Sequence, residues 1–361
     1  MPQTRLQHTT FALLILLLTA FLTPRTAKAQ SDSGLNWTNI EAIVGKTTSQ
    51  NLKTLDSFAD YVKVQQLDEL GKAALIYTIL AREVRYDIDA FRQSGSLGNP
   101  KLAEAKTVWS RRLGVCSGYV AAYRYVASRV GLQTYEVSGF ARSAEGEQLS
   151  WQQPNHAWVA LLIGKQWHLI EPTWGAGSLQ NDRYVHQFER NWFDLQPQKA
   201  ILTHFPSAPM FQLLPCEVDL ATIKKGSDQA ISAKAGQKMR CQSFQDSLTA
   251  FVRTHDERKP LFLACQSQRY NPENTLDLGL AYLNLSAVLM SRLLSIPDGE
   301  QAQRQYAKDI DQVAQMARMA KFHLSQSKSE ATAQIIRVAD QNLEVATKNS
   351  ESIQKLLRRY K

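Results

Sequence analysis

The order of apolar and polar positions divides the chain into a mixed core and a helical tail. From Leu67 to Tyr86, the residues Leu70, Ala74, Ile76, Ile79, Leu80 and Val84 form a broad apolar stripe at helical spacing. Residues 93–101 carry Gly, Ser, Asn and Pro and read as a loop, and Ala103–Arg112 reads as a short helix. Tyr119, Val120, Tyr123, Val126, Ala127 and Val130 then recur at i, i+3, i+4 and i+7, with Gly131 where a C-terminal cap glycine belongs. This predicts a largely buried helix of about four turns with Cys116 in its first turn. Residues 134–142 alternate as a strand, and Ser143–Pro154 is a polar loop. The runs 155–163 and 166–174 are apolar, aromatic and β-branched, and they flank Gly164-Lys165. They predict a hairpin with a type II′ turn, central in a sheet because both faces are apolar. Thr275–Leu294 is an apolar helix, and Pro297-Asp298-Gly299 is a turn. Helical spacing resumes through Tyr306, Ile310, Val313, Ala317, Ala320 and Leu324, and again through Ile335, Ala339, Leu343, Ala346, Ile353 and Leu357. These segments predict antiparallel helices that pack on one another or on the core.

Residues outside those periodic segments set the boundaries. Arg5, the apolar run Phe11–Leu22 and the small-x-small stretch Ala27-Lys28-Ala29 read as a secretory signal over 1–29, with a mature chain from Gln30 that is secreted or periplasmic. The apolar run is shorter than the ~20 residues that span a bilayer. Residues 30–64 read as an N-terminal arm, 65–215 as the folded core, 216–274 as a connecting region and 275–361 as the helical C-terminal region. The formal charge is +9, but three of the 42 basic residues lie in the signal, which leaves 39 against 33 acidic. A mildly basic, evenly spread charge suits an anionic cell-envelope surface and does not call for nucleic acid.

The chemistry centres on Gly114-Val115-Cys116-Ser117-Gly118-Tyr119. Unpaired N–H groups at a helix start carry partial positive charge, which favours a thiolate there. If Ile163 pairs with Gln166, His156 faces Thr173 and Trp158 faces Glu171, so His156 and Glu171 share a face as diagonal neighbours. The candidate site is therefore Cys116 as nucleophile, His156 as base and Glu171 as the orienting acid, with the Cys116 backbone N–H as an oxyanion donor. His168 falls on the opposite face, and the other histidines are scattered. Neither Cys-x-x-Cys nor His-Glu-x-x-His is present, so no metal and no cofactor is expected. Export implies an oxidising compartment, and with Cys116 free one disulfide can form among Cys216, Cys241 and Cys265; Cys241–Cys265 and Cys216–Cys241 both remain open.

Gly114-Val115-Cys116-Ser117-Gly118-Tyr119, Asn155-His156-Ala157-Trp158 and Trp167-His168-Leu169-Ile170-Glu171-Pro172-Thr173-Trp174-Gly175-Ala176-Gly177 together resemble the transglutaminase-like superfamily, most of all its kyphoscoliosis-peptidase branch. Thr203-His204-Phe205-Pro206 and Phe211-Gln212-Leu213-Leu214 resemble that branch's segment after the core, and Leu67–Asp87 its helix before the active site. The resemblance covers about 65–215. It implies an α+β, papain-like/transglutaminase-like core in which a helix bearing the cysteine packs on an antiparallel sheet, here followed by an all-α C-terminal region. It also implies a Cys–His–acid triad at Cys116, His156 and Glu171, with glutamate where the family usually carries aspartate. The expected function is a secreted cysteine peptidase or amidase, or a cross-linking acyltransferase, acting on protein or peptide amide bonds through a thioester. Hydrolysis is favoured. The alternative is a catalytically degenerate scaffold or binding protein of the cell envelope that meets its partner through the C-terminal helices.

Overall fold

The computed structural model describes residues 34–94, 101–180, 183–237, 244–326 and 330–360. The signal segment 1–29 and most of the loop expected at 93–101 lie outside these residues. No helix among the described residues is long and apolar enough to cross a membrane.

Two central helices form as their patterns predict. Glu69–Glu83 starts at Asp68, whose carboxylate accepts the Gly71 N–H at 2.7 Å, and residues 73–81 are all buried. The cysteine helix, Cys116–Arg129, starts directly at the thiol. It ends at Gly131 (φ 84°), where the N–H groups of Gly131 and Leu132 donate to the Ser128 and Ala127 carbonyls. That pair of reversed bonds satisfies the last carbonyls of the helix.

These helices lie against a four-stranded antiparallel sheet. Its strands are β1 (Gln133–Ala141), β2 (His156–Ile163), β3 (Gln166–Ile170) and β4 (His204–Pro206), in the order β3-β2-β1-β4. The hairpin register is Ile163↔Gln166 through Val159↔Ile170. Gly164 sits at φ 59°, and Lys165 is not among the positive-φ residues, as a type II′ turn requires. The sheet is buried on both sides. Ala157, Val159 and Leu161 pack toward the two central helices, while Trp158 and Ala160 pack on the opposite side with Leu248 and Phe251.

Three expectations need correction. Of the two hairpin strands only β2 is central; β3 is an edge strand, and it ends at Ile170 because Glu171-Pro172 turns the chain into a short helix, Pro172–Gly175. Proline has no N–H to continue a ladder and favours the first turn of a helix. The supposed loose arm contains helices Trp37–Val44 and Leu55–Lys63, and Ile40, Leu55, Phe58, Ala59 and Val62 join the main core. Both helices are too short for a clear periodic signal, but the Thr54/Ser57 capping box marks the second. The region 216–274 is more than a connector. It contributes helices Gln245–Arg253 and Lys259–Tyr270, and Ile223 and Ile231 pack against Phe140 and Phe205. Cys216 is disulfide-bonded to a partner outside the described residues, while Cys265 is free, so the pairing Cys241–Cys265 is excluded. The tail forms helices Thr275–Met290, Glu300–Ser325 and Glu330–Leu357, which bury Ile310, Val313, Leu324, Ala339 and Ile353 among themselves.

Gly139 lets β4 approach β1. A Cβ there would sit 2.4 Å from the Phe205 carbonyl oxygen and 2.6 Å from Trp158 Cη2. Gly139→Ala is expected to lower stability by about 1–3 kcal/mol, the range for overpacking a tight site. Chemical denaturation measures this, and a midpoint equal to that of the parent protein contradicts it.

Candidate active site

The cysteine helix places Cys116 at its first position. Val115 precedes it as the cap residue and provides no side-chain cap. The entry to this helix is held by a short parallel pairing, Arg85↔Leu113 and Tyr86↔Gly114. Cys116 is 2% exposed. Its side chain hydrogen-bonds the ring of His156, the first residue of β2. Asn155, just before it, spans the end of β1: its Oδ1 accepts the Ala141 N–H at 2.7 Å and its Nδ2 donates to the Ala141 carbonyl at 2.9 Å. Those bonds fix where β2 begins, and so where the imidazole sits.

Glu171 closes the group. It lies one residue past β3, fully buried, and its Oε2 is 2.7 Å from His156 Nε2. Its Oε1 accepts the N–H groups of Thr173 at 2.8 Å and Trp174 at 3.0 Å. Glu171 is thus the N-cap of Pro172–Gly175, and the extra methylene curls the carboxylate back over that helix start. With Nε2 given to Glu171, the other ring nitrogen, Nδ1, is the one available to the Cys116 thiol. The structure therefore brings Cys116, His156 and Glu171 together. It sends His168 elsewhere, with Nδ1 at 2.8 Å from Asp194.

The charges follow from this arrangement. Burial disfavours a charged His156, but the Glu171 carboxylate and the hydrogen bonds to Cys116 and Glu171 outweigh it and raise its pKa to about 10. Burial likewise opposes a charged Glu171, yet His156 holds it well below the usual carboxylate range. The pair is an imidazolium facing a carboxylate in a dry pocket.

Sequence reasoning passed over His204. It stands on β4 opposite Ala141, 3% exposed, with Nε2 3.3 Å from the same Oε2 of Glu171. Trp158, Trp174 and Trp192 surround it, with ring centroids at 5.1, 4.5 and 5.8 Å. The available signal was the segment Thr203-His204-Phe205-Pro206 itself, whose alternation turns Phe205 to the outer cluster and His204 to the site. His156, Glu171 and His204 offer ligand atoms within 4.8 Å of one another, a donor set that suits a divalent transition metal.

Two cavities lie near the core, and neither is lined by Cys116, His156 or Glu171. One of about 410 Å³ opens beside Leu113 and is lined by Tyr86, Tyr184, Arg85, Arg92 and Arg183. A larger one, about 1120 Å³, lies behind the cysteine helix, among Arg124, Glu136, Lys259 and Asp277.

Residues 56–172 match the sequence profile of the core of the Transglutaminase-like superfamily. The chain is 22% identical to the mouse (Mus musculus) protein named kyphoscoliosis peptidase over 151 residues, 40% of this chain and 22% of that one. It is 24% identical to the human (Homo sapiens) protein of the same name over 183 residues, 46% of this chain and 27% of that one. It is 24% identical over 103 residues to Cytokinesis protein 3 of Saccharomyces cerevisiae, 27% of this chain and 11% of that one. The match thus spans about a quarter of the length of the two kyphoscoliosis peptidases.

The buried pair has a pH signature. His156, raised from an ordinary 6.5 to about 10, adds stability that is fully present below 6.5 and is lost as pH rises through about 10. Glu171, depressed from 4.5, adds stability that is present above 4.5 and is lost only in strong acid. The melting-temperature gap between the parent protein and Glu171→Gln should therefore be widest between pH 4.5 and 6.5 and shrink toward pH 10. A gap independent of pH contradicts the ion pair.

Proposed function

Starting from a chain that carries a domain of the transglutaminase-like superfamily at residues 56–172, we propose that the protein is a cysteine hydrolase or acyltransferase acting on protein or peptide amide bonds. Cys116 is the nucleophile, His156 the acid–base and Glu171 the orienting carboxylate. The reading rests on one observation: a single imidazole bonds a thiol at a helix start and a buried carboxylate.

The proposed steps use these three groups in turn. The Cys116 sulfur, with its proton on His156, attacks the amide carbonyl. Negative charge develops on the carbonyl oxygen, and the backbone N–H of Cys116 at the helix start is the proposed donor to it. His156 then protonates the departing amine, and a thioester remains on Cys116. Water or an amine attacks the thioester, with His156 as the base. Water gives hydrolysis, and a lysine amine gives cross-linking. Hydrolysis is preferred because two of the relatives are named as peptidases. The cavity beside Leu113, three residues before Cys116 in the chain, is the candidate entrance for substrate.

We also propose that residues 1–29 are a secretory signal and that the enzyme works outside the cytoplasm. The disulfide at Cys216 supports an oxidising compartment.

The second reading is a scaffold in which the fold is kept and the C-terminal helices engage a cell-envelope partner. The near-complete burial of Cys116, 2% exposed, favours it.

Thiol alkylation separates the two. At pH 6 iodoacetamide should modify Cys116 roughly ten to a hundred times faster than free cysteine, because little of an ordinary thiol is ionised there. Cys265 is the internal comparison, and His156→Ala should abolish the difference. A Cys116 rate equal to that of free cysteine removes the enzyme reading and leaves the scaffold.

A further inference from the structure

The triad accounts for one histidine, yet two converge on the same carboxylate oxygen. Glu171 Oε2 meets His156 Nε2 at 2.7 Å and His204 Nε2 at 3.3 Å. The second contact is long and imperfectly aligned, and His204 Nε2 has no other partner although it is buried. A buried polar atom left without a partner costs about 1–3 kcal/mol. Its retention beside a reactive centre therefore asks for a role.

The surroundings narrow that role. His204 Nδ1 is 2.8 Å from the Thr203 hydroxyl. If that hydroxyl donates to Nδ1 rather than to the Ala200 carbonyl 3.5 Å away, the ring proton is left on Nε2, on the side of Glu171. Burial pushes His204 below its ordinary pKa despite the pull of Glu171. The ionisable groups facing it are Glu171 and His156, with Cys116 beyond; its remaining neighbours are Trp158, Trp174 and Trp192. Glutamate has one more rotatable bond than aspartate. The Thr173 and Trp174 N–H groups hold Oε1, so Oε2 is positioned by the two rings that face it, His156 at 2.7 Å and His204 at 3.3 Å.

We propose that His204 is a positioning residue: its Nε2–H anchors Glu171 Oε2 in the line of the His156 ring, so that a glutamate orients the imidazole. The proposal deepens the assignment of Cys116, His156 and Glu171 and rests on it. A hydrogen bond that is long in the free protein, such as this 3.3 Å contact, often tightens only once substrate is bound. His204 touches no reacting atom. It acts through Glu171, and Thr203 acts through His204 by fixing the tautomer.

The test uses two variants of the full chain. His204→Phe keeps an aromatic ring among the three tryptophans and removes the donor, while His204→Gln keeps a donor. Circular dichroism checks that both fold. The first readout is proton NMR of the low-field resonance of the His156–Glu171 hydrogen bond. It should persist in the parent protein and in His204→Gln and broaden in His204→Phe. The second is the pH profile of Cys116 alkylation. His204→Phe should lower its plateau about tenfold, the low end of the loss seen when a supporting hydrogen bond is removed, and His204→Gln should restore most of it. An unchanged resonance and profile in His204→Phe overturns the proposal, as does equal impairment of both variants. If Cys116 proves unreactive in every form while the resonance still broadens in His204→Phe, the enzyme reading fails and the positioning role stands.

Discussion

The carboxylate of Glu171 is the constraint on which the site depends. Moving a carboxylate fully out of water costs several kcal/mol unless charge and hydrogen bonds replace the solvent. Here the replacement is local. Oε1 takes two backbone N–H groups at the start of Pro172–Gly175, and Oε2 takes the His156 ring. The helix start adds partial positive charge. Each partner is needed by the others. Without the short helix the carboxylate has no cap, and without the carboxylate the helix start and the imidazole are unsatisfied.

The larger architecture serves that arrangement. The cysteine helix is fixed at one end by the pairing at Gly114 and at the other by the turn at Gly131. The sheet fixes the start of β2 through Asn155. Trp158, Trp174 and Trp192 exclude water around the two histidines, and a dry setting strengthens each charge interaction inside it. The close packing extends to Gly175, where a Cβ would lie 2.1 Å from the Tyr77 hydroxyl. The helices after residue 216 act at longer range. They bury the far face of the sheet, with Leu248 and Phe251 against Tyr135 and Val137.

Much of this was legible in the residues. The central helices and the hairpin register rest on periodicity, cap residues and a two-residue glycine turn, all local signals. The approach of His156 and Glu171 followed from parity in that register, even though Glu171 is a helix cap and not a strand residue. The arm helices were missed because eight or nine residues carry too little periodicity to read. The region after 216 was underestimated because its apolar residues are spread over several short helices.

Sequence alone determined which residue types could do the chemistry and how each lies along its own element. That information is carried by backbone periods and by neighbours a few residues apart. Only the tertiary structure decided that His204, 33 residues beyond Glu171, returns to the same carboxylate oxygen. Such a contact depends on where an edge strand joins the sheet. That placement is set by Gly139 and the packing of Phe205 against distant apolar residues, and no local pattern encodes it.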